Sequence, residues 1–246
     1  MQTVLILDFG GQYTQLIARR VRECGVYSCV LPYTASLAQI REAAPMGVIL
    51  SGGPASVLDE GAPTLDMGVF ELGVPVLGIC YGMQLIAHLH GAPVQRCSQR
   101  EYGRTDVHMD DTQTGLLKGM KDHSQCWMSH TWQVATPPEG FKATAHTAHC
   151  PVAAMADPAR RIYGVQFHPE VTHTEEGFAL LQNFLKDICG LAGDWNMEAY
   201  AEIAVRQIRE QVGDGTVLLG LSGGVDSAVA AALLYRAIGS RLTCVY

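Results

Sequence analysis

The sequence is short of positive charge. Its 246 residues carry 17 Lys and Arg against 24 Asp and Glu, a formal net charge of −7, with no Lys/Arg stripe. That balance argues against a nucleic-acid-binding surface, and a small acidic excess mainly serves solubility. No apolar run approaches the roughly 20 residues of a membrane span, so no membrane segment is expected. The N-terminus, Met1-Gln2-Thr3-Val4-Leu5-Ile6-Leu7-Asp8, has no basic region, and its apolar run breaks at Asp8. It reads as a first strand rather than a signal peptide. Eight Cys stand at 24, 29, 80, 97, 126, 150, 189 and 244 without one Cys-x-x-Cys pair. A disulfide framework is not expected in a chain that is 48% hydrophobic; reduced thiols and a cytoplasmic location follow. Cys126, His130, His146, His149 and Cys150 are zinc-ligand types, but their spacing fits no standard finger, and no metal site is assigned. Internal repeats and low-complexity segments are also missing.

What is present is an alternation of strand and helix signals. Apolar runs at 4–8, 26–31, 47–50 and 74–79 read as strands, and 14–23, 35–43, 66–72 and 83–90 as helices. That order implies an α/β fold with a parallel sheet, right-handed crossovers and ligands at the strands' carboxyl ends. From 94 to 167 the texture changes. Short runs at 105–109, 126–128, 133–136, 141–146, 152–156 and 162–167 are expected to add antiparallel strands. An amphipathic helix follows at 175–188. The pattern then restarts with a helix at 197–212, a strand at 216–221, a loop at 222–227, a helix at 228–238 and the start of a strand at 243–246. The division expected is a first domain at 1–189, a linker at 190–196 and a second piece at 197–246. A tail of that size is too small to bury a core alone. It is expected to be the opening β-α-β unit of a Rossmann-like domain whose remainder is absent.

Cys80 carries the chemistry. It sits in Gly78-Ile79-Cys80-Tyr81-Gly82-Met83-Gln84, directly after Val74-Pro75-Val76-Leu77. A buried strand, a Gly-flanked nucleophile and a helical segment in succession make a nucleophile elbow, with Cys in the place of Ser. The helix N-terminus there favours thiolate. Taken alone, Cys80 reads equally well as a small core hydrophobe. A second segment decides: Tyr163-Gly164-Val165-Gln166-Phe167-His168-Pro169-Glu170 is an apolar strand ending in His-x-Glu. A Cys nucleophile needs a base, and the base needs an orienting acid. In an extended chain His168 and Glu170 leave the same face, and Pro169 biases His168 toward that conformation. Ser51-Gly52-Gly53-Pro54 follows another strand, and the N–H of Gly53 with that of Tyr81 could form an oxyanion hole. By itself it reads as a Gly-Pro turn. Ser222-Gly223-Gly224-Val225-Asp226-Ser227 lies between a strand and a helix N-terminus, an anion site without the Lys of a Walker A loop. Asp226 could hold magnesium through a nucleotide's phosphates.

Cys80 with His168-Pro169-Glu170 and Ser51-Gly52-Gly53-Pro54 resembles the class I (triad) glutamine amidotransferase domain. The Ser-Gly-Gly-x-Asp-Ser loop resembles the pyrophosphate loop of N-type ATP pyrophosphatases. Asp8-Phe9-Gly10-Gly11-Gln12-Tyr13-Thr14-Gln15-Leu16 and Val171-Thr172-His173-Thr174 strengthen the match to glutamine-hydrolysing ligases that join both. The resemblance implies the class I amidotransferase fold, a mixed, mostly parallel sheet with helices on both faces. It implies a catalytic set of Cys80, His168 and Glu170, an oxyanion hole at Gly53 and Tyr81, and contacts to L-glutamine from Gln84, Ser129 and His130. It further implies that Ser222, Gly223, Gly224, Val225, Asp226 and Ser227 hold the phosphates of ATP with Mg²⁺, and that ATP activates xanthosine monophosphate (XMP) for amination. No tightly bound cofactor is expected, and the full-length protein is expected to be a homodimer. Some positions depart from the pattern. Ser129-His130-Thr131-Trp132 stands where Ser-His-Gly-Asp is common, Gly11 where Ser is usual, and Ala228 where a second Ser is common. An amidotransferase of another biosynthetic pathway is the first alternative, opposed by the loop at 222–227. A non-catalytic glutamine-binding regulatory module is the second, opposed by the presence of nucleophile and base.

Overall fold

In the computed structural model, which describes residues 2–113 and 115–246 (of 197–199 the backbone only), strand β1 (Thr3–Asp8) sets the frame. Its side chains alternate between two cores: Val4 and Ile6 enter one, Leu5 and Leu7 the other, and all four are fully buried. A strand covered on both faces belongs in the interior of an α/β sheet. The chain forms two compact units, Met1–Asp194 and Trp195–Tyr246.

In the first unit α1 (Thr14–Glu23) turns Ile17, Ala18 and Val21 inward, each large aliphatic side chain contributing about 1.5–3 kcal/mol on burial. β2 (Tyr27–Pro32), α2 (Leu37–Glu42), β3 (Gly47–Leu50), β4 (Val76–Ile79) and α3 (Tyr81–Leu89) follow. α2 starts at a capping box: Ser36 Oγ accepts from Gln39 N, and Gln39 reaches back to Ser36 N. Next come β5 (Val94–Met109), β6 (His123–Val134), β7 (Lys142–His146), β8 (Ala154–Asp157), β9 (Ile162–Val165) and α4 (Gly177–Gln182), which continues as a π-helical stretch over Asn183–Ile188. The nine strands form one sheet in the order β2-β1-β3-β4-β9-β8-β7-β5-β6. The first five run parallel, and the rest are joined by antiparallel pairings. This is the mixed sheet, parallel in its first five strands, that the sequence leads one to expect. Because β3, β4 and β9 are parallel neighbours, the segments after Leu50, Ile79 and Val165 leave from one edge of the sheet.

Several elements differ from the sequence reading. The segment 66–72 forms only a 3₁₀ turn at Met67–Val69: Gly68 lowers helix propensity, and Gly73 (φ 73°) closes the turn. The runs at 126–128 and 133–136 belong to one strand, β6, and β5 reaches back to Val94. The Arg96–Glu101 register shift, in a mostly polar stretch, hides that length from a periodicity argument. Helix α3 begins at Tyr81, two residues earlier than expected.

In the second unit α5 (Met197–Val212) precedes β10 (Val217–Gly220), α6 (Val225–Ile238) and β11 (Leu242–Val245), and the two strands pair in parallel. α6 starts three residues before the expected 228, so Val225, Asp226 and Ser227 form its first turn rather than a loop. Arg209 donates to the carbonyls of Arg236 and Ala237 at 2.9 Å each, closing the end of α6 with a cation. The buried cluster here is Val205, Ala237 and Ile238. Leu218 is 72% exposed and Val229 51%. No described helix is long and apolar enough to cross a membrane.

Candidate active site

The turn between β4 and α3 is strained at one residue. Cys80 has φ 52° and ψ −105°, a region that costs a non-glycine residue about 1–3 kcal/mol. Its neighbours impose it. A Cβ on Gly78 would lie 2.6 Å from the Gly82 backbone, and one on Gly82 2.4 Å from the Leu50 carbonyl oxygen. Cys80 N donates to Val165 O at 2.8 Å and Gly82 N to Ser51 O at 3.2 Å. The elbow is thus pinned to both flanking strands, and the thiol stands at the carboxyl edge of the sheet, 6% exposed.

His168 arrives two residues after Gln166, whose N–H still bonds to Ala153 O. Its loop is held by three bonds: His168 N to Trp127 O (3.0 Å), Thr174 Oγ1 to His168 O (2.6 Å) and Trp127 N to Thr174 Oγ1 (3.0 Å). Arg20 Nε donates to the Glu170 carbonyl at 2.9 Å. His168 Nδ1 lies 2.7 Å from Glu170 Oε1, which leaves the other ring nitrogen for the cleft that His168 and Cys80 both line. Tyr13 packs edge-on against the ring at 5.1 Å. Burial alone would lower the His168 pKa, but the hydrogen bonds to Cys80 and Glu170 and their charges raise it to about 10. The ring therefore holds a proton between the Glu170 carboxylate and the Cys80 sulfur. Glu170 is fully buried, and its Oε2 has no hydrogen-bond partner among the described residues.

These groups open on a cleft of about 470 Å³. Gly52, Gly53, Cys80, Tyr81 and His168 line its floor side, and Ser129, His130, Thr131 and Trp132 its β6 wall. Among the described residues no hydrogen bond uses the N–H of Gly53 or of Tyr81; both belong to residues that line the cleft. Gln84 lies at the cleft, 3% exposed, with Nε2 donating to Trp132 O (2.6 Å) and to Gln166 Oε1 (3.1 Å). The Ser129 carbonyl faces the Cys80 thiol at 3.9 Å. His130 lines the same wall, but its ring nitrogens are engaged within the protein, by Glu101 and Trp132 O.

Sequence reasoning passes over several cleft residues. Gln166, fully buried, donates from Nε2 to Cys80 Sγ at 3.6 Å; a polar residue inside an apolar strand beside His168 is the available signal. Arg96, Arg100 and Tyr102 also line the cleft, inside a charged run that resembles solvated surface. Of the five zinc-ligand types noted in the sequence, His130 and Cys150 meet, together with Glu101, with ligand atoms within 4.8 Å of one another. Cys126, His146 and His149 are not in that group. In the second unit Gly223 has φ 76° and Ser222 Oγ lies 3.1 Å from Ser227 Oγ. Gly224 precedes α6 without a side-chain cap. The uncapped N–H groups and the glycine turn suit an anion, and Asp226 in the first turn supplies a carboxylate.

A cysteine at a strained strand–helix turn, beside a buried histidine–carboxylate pair on a doubly covered α/β sheet, is an arrangement suited to a thiol nucleophile of the triad type. Comparison with known proteins gives that class a family: residues 5–188 match the model "Glutamine amidotransferase class-I", and the chain belongs to that family. Residues 198–245 match the model "NAD synthase". The chain is 54% identical over 245 residues to GMP synthase [glutamine-hydrolyzing] of Acetivibrio thermocellus, covering 100% of this chain and 48% of that protein. It is 54% identical over 243 residues to the enzyme of that name from Clostridium perfringens, again 48% of its length. The chain thus spans about half the length of the curated relatives it matches. Among solved structures, a Thermoplasma acidophilum protein assigned to GMP synthase superposes with TM-score 0.69 at 31% identity, over 82% of this chain and 97% of that one. A Thermotoga maritima glutamine amidotransferase shares the fold at TM-score 0.61 and 18% identity, over 76% and 98%.

Proposed function

We propose that the chain hydrolyses L-glutamine at Cys80 and supplies the ammonia for ATP-dependent amination of XMP to GMP. It would then be the glutaminase half of a GMP synthase, a ligase of purine biosynthesis. The observation that carries the reading is the His168–Glu170 pair, with His168 Nδ1 2.7 Å from Glu170 Oε1, lining one cleft with Cys80 and with two backbone N–H groups that no described hydrogen bond uses. As His168 takes the thiol proton, the Cys80 sulfur attacks the side-chain carboxamide carbon of glutamine. The oxygen takes the electron pair and is held by the N–H groups of Gly53 and Tyr81. The proton on His168 goes to the departing nitrogen, which leaves as ammonia, and a glutamyl thioester remains on Cys80. His168 then takes a proton from water, whose oxygen attacks the thioester; the C–S bond breaks and glutamate leaves. Glu170 keeps the ring oriented. Gln84 and the Ser129–His130 backbone hold the glutamine against the β6 wall.

Ser222, Gly223, Gly224, Val225, Asp226 and Ser227 would hold ATP phosphates, on the support of the glycine turn and the uncapped start of α6. Magnesium bound with ATP would neutralise phosphate charge there, and Asp226 is the carboxylate that suits it. The domain limits 1–189, 190–196 and 197–246, the cytoplasmic location and a homodimer of the full-length enzyme belong to the same reading. Ammonia release from glutamine tests it. The Cys80→Ala variant should lose activity by at least about 10³-fold, and equal rates in the two proteins would refute the assignment.

A further inference from the structure

We propose that Glu101 is a positioning residue: through His130 it fixes the carbonyl wall of the cleft that faces Cys80 and Gln84. The proposal rests on reading the cleft as a glutamine site. Past the register shift in β5, Glu101 pairs directly with His130 of β6. The two are 6% and 3% exposed, and a carboxylate buried so deeply is costly unless it is hydrogen-bonded. Here it is bonded at both oxygens. Thr147 Oγ1 donates to Oε1 at 2.6 Å, and His130 Nε2 lies 3.2 Å from Oε2. Burial pushes the Glu101 carboxyl upward, yet the bonds from His130 and Thr147 outweigh it and hold the group below the usual range.

The other side of the His130 ring faces the site. Nδ1 is 3.2 Å from Trp132 O and 3.3 Å from Cys97 Sγ. Trp132 O also accepts from Gln84 Nε2, and Gln84 bonds to Gln166, which bonds to the Cys80 sulfur. On the same strand the Ser129 carbonyl faces the thiol. Glu101 is therefore linked to the nucleophile through His130, Trp132, Gln84 and Gln166 without touching the reacting atoms. Trp132 O and the Glu101 carboxylate sit at the two ring nitrogens, so the ring ties the carbonyl to the carboxylate. A glutamine at 101 keeps the shape but removes the charge, weakening the hold on the Trp132 carbonyl.

The test compares wild type with Glu101→Gln under two reagents, a glutamine-shaped chloroketone and iodoacetamide, following modification of Cys80 by peptide mass. The chloroketone rate should fall about tenfold, the size of one charge-assisted hydrogen bond. The iodoacetamide rate at Cys80 and the melting temperature should stay near wild type, because His168 and Glu170 are untouched. Equal losses with both reagents, a loss matched by a large fall in melting temperature, or no loss at all would overturn the proposal. So would stoichiometric zinc in the purified wild type, since Glu101, His130 and Cys150 would then be a metal site. A wild-type Cys80 that ignores the chloroketone would instead sink the glutamine reading on which the proposal rests.

Discussion

His168 is where the electrostatics of the site become measurable. Its pKa, raised to about 10 from an ordinary 6.5 by the Cys80 and Glu170 bonds against the pull of burial, means that the folded protein holds this proton more tightly than the unfolded chain. The corresponding stability is complete below about 6.5 and is lost as pH rises toward about 10. Thermal melts from pH 6 to 10 should therefore show wild type losing stability with a slope that His168→Gln flattens. Parallel curves for the two proteins would place the proton elsewhere. The buried thiols add a contrast. Burial pushes Cys24 and Cys97 up to about 11 and Cys126, Cys150 and Cys189 to about 12, so these five stay as unreactive thiols at neutral pH. At this scale the meeting of Cys80, His168 and Glu170 was legible because each stands at or just past a strand end. Gln166 and Glu101 were not, because their partners, Gln84 and Cys80 for the one and His130 and Thr147 for the other, lie far away in sequence.

Elements explain why the nucleophile can be strained at all. β4 and α3 meet at Cys80 because two glycines let the backbones pass: the Cβ missing at Gly82 would press on the carbonyl of Leu50, a β3 atom with no room to move. Gly82→Ala should destabilise the protein by about 1–3 kcal/mol and suppress ammonia release, because the elbow must shift to relieve the clash. A variant with unchanged melting temperature and activity would contradict the packing. The alternation that makes β1 a two-faced strand and the 3.6-residue period of α1 were readable from the order of apolar residues alone. The full length of β5 and β6 was not. The mostly polar stretch from Arg96 to Glu101 broke the period, and the strands are held by pairing with each other rather than by propensity. The stretch at 66–72 failed for the opposite reason: its apolar residues suggested a helix, while Gly68 and the cap at Asp66 favoured a single turn.

For the whole molecule, every residue that lines the cleft lies between Gly10 and His168, inside the unit Met1–Asp194. The chemistry at Cys80 is thus expected to belong to that unit, while the segment 222–227, proposed to hold ATP phosphates, lies in the other. Leu191 falls in the stretch expected as linker, yet it is 3% exposed and joins the core of the first unit, a long-range contact that the glycines at 190 and 193 disguise in the sequence. The central claim is that Cys80 forms a covalent bond to glutamine. Its most direct test is rapid acid quench of the protein with glutamine, followed by peptide mass analysis. The account predicts a glutamyl adduct on the peptide carrying Cys80 and on no other cysteine peptide. An adduct on another cysteine, or ammonia released with no adduct on Cys80 at any quench time, would contradict it.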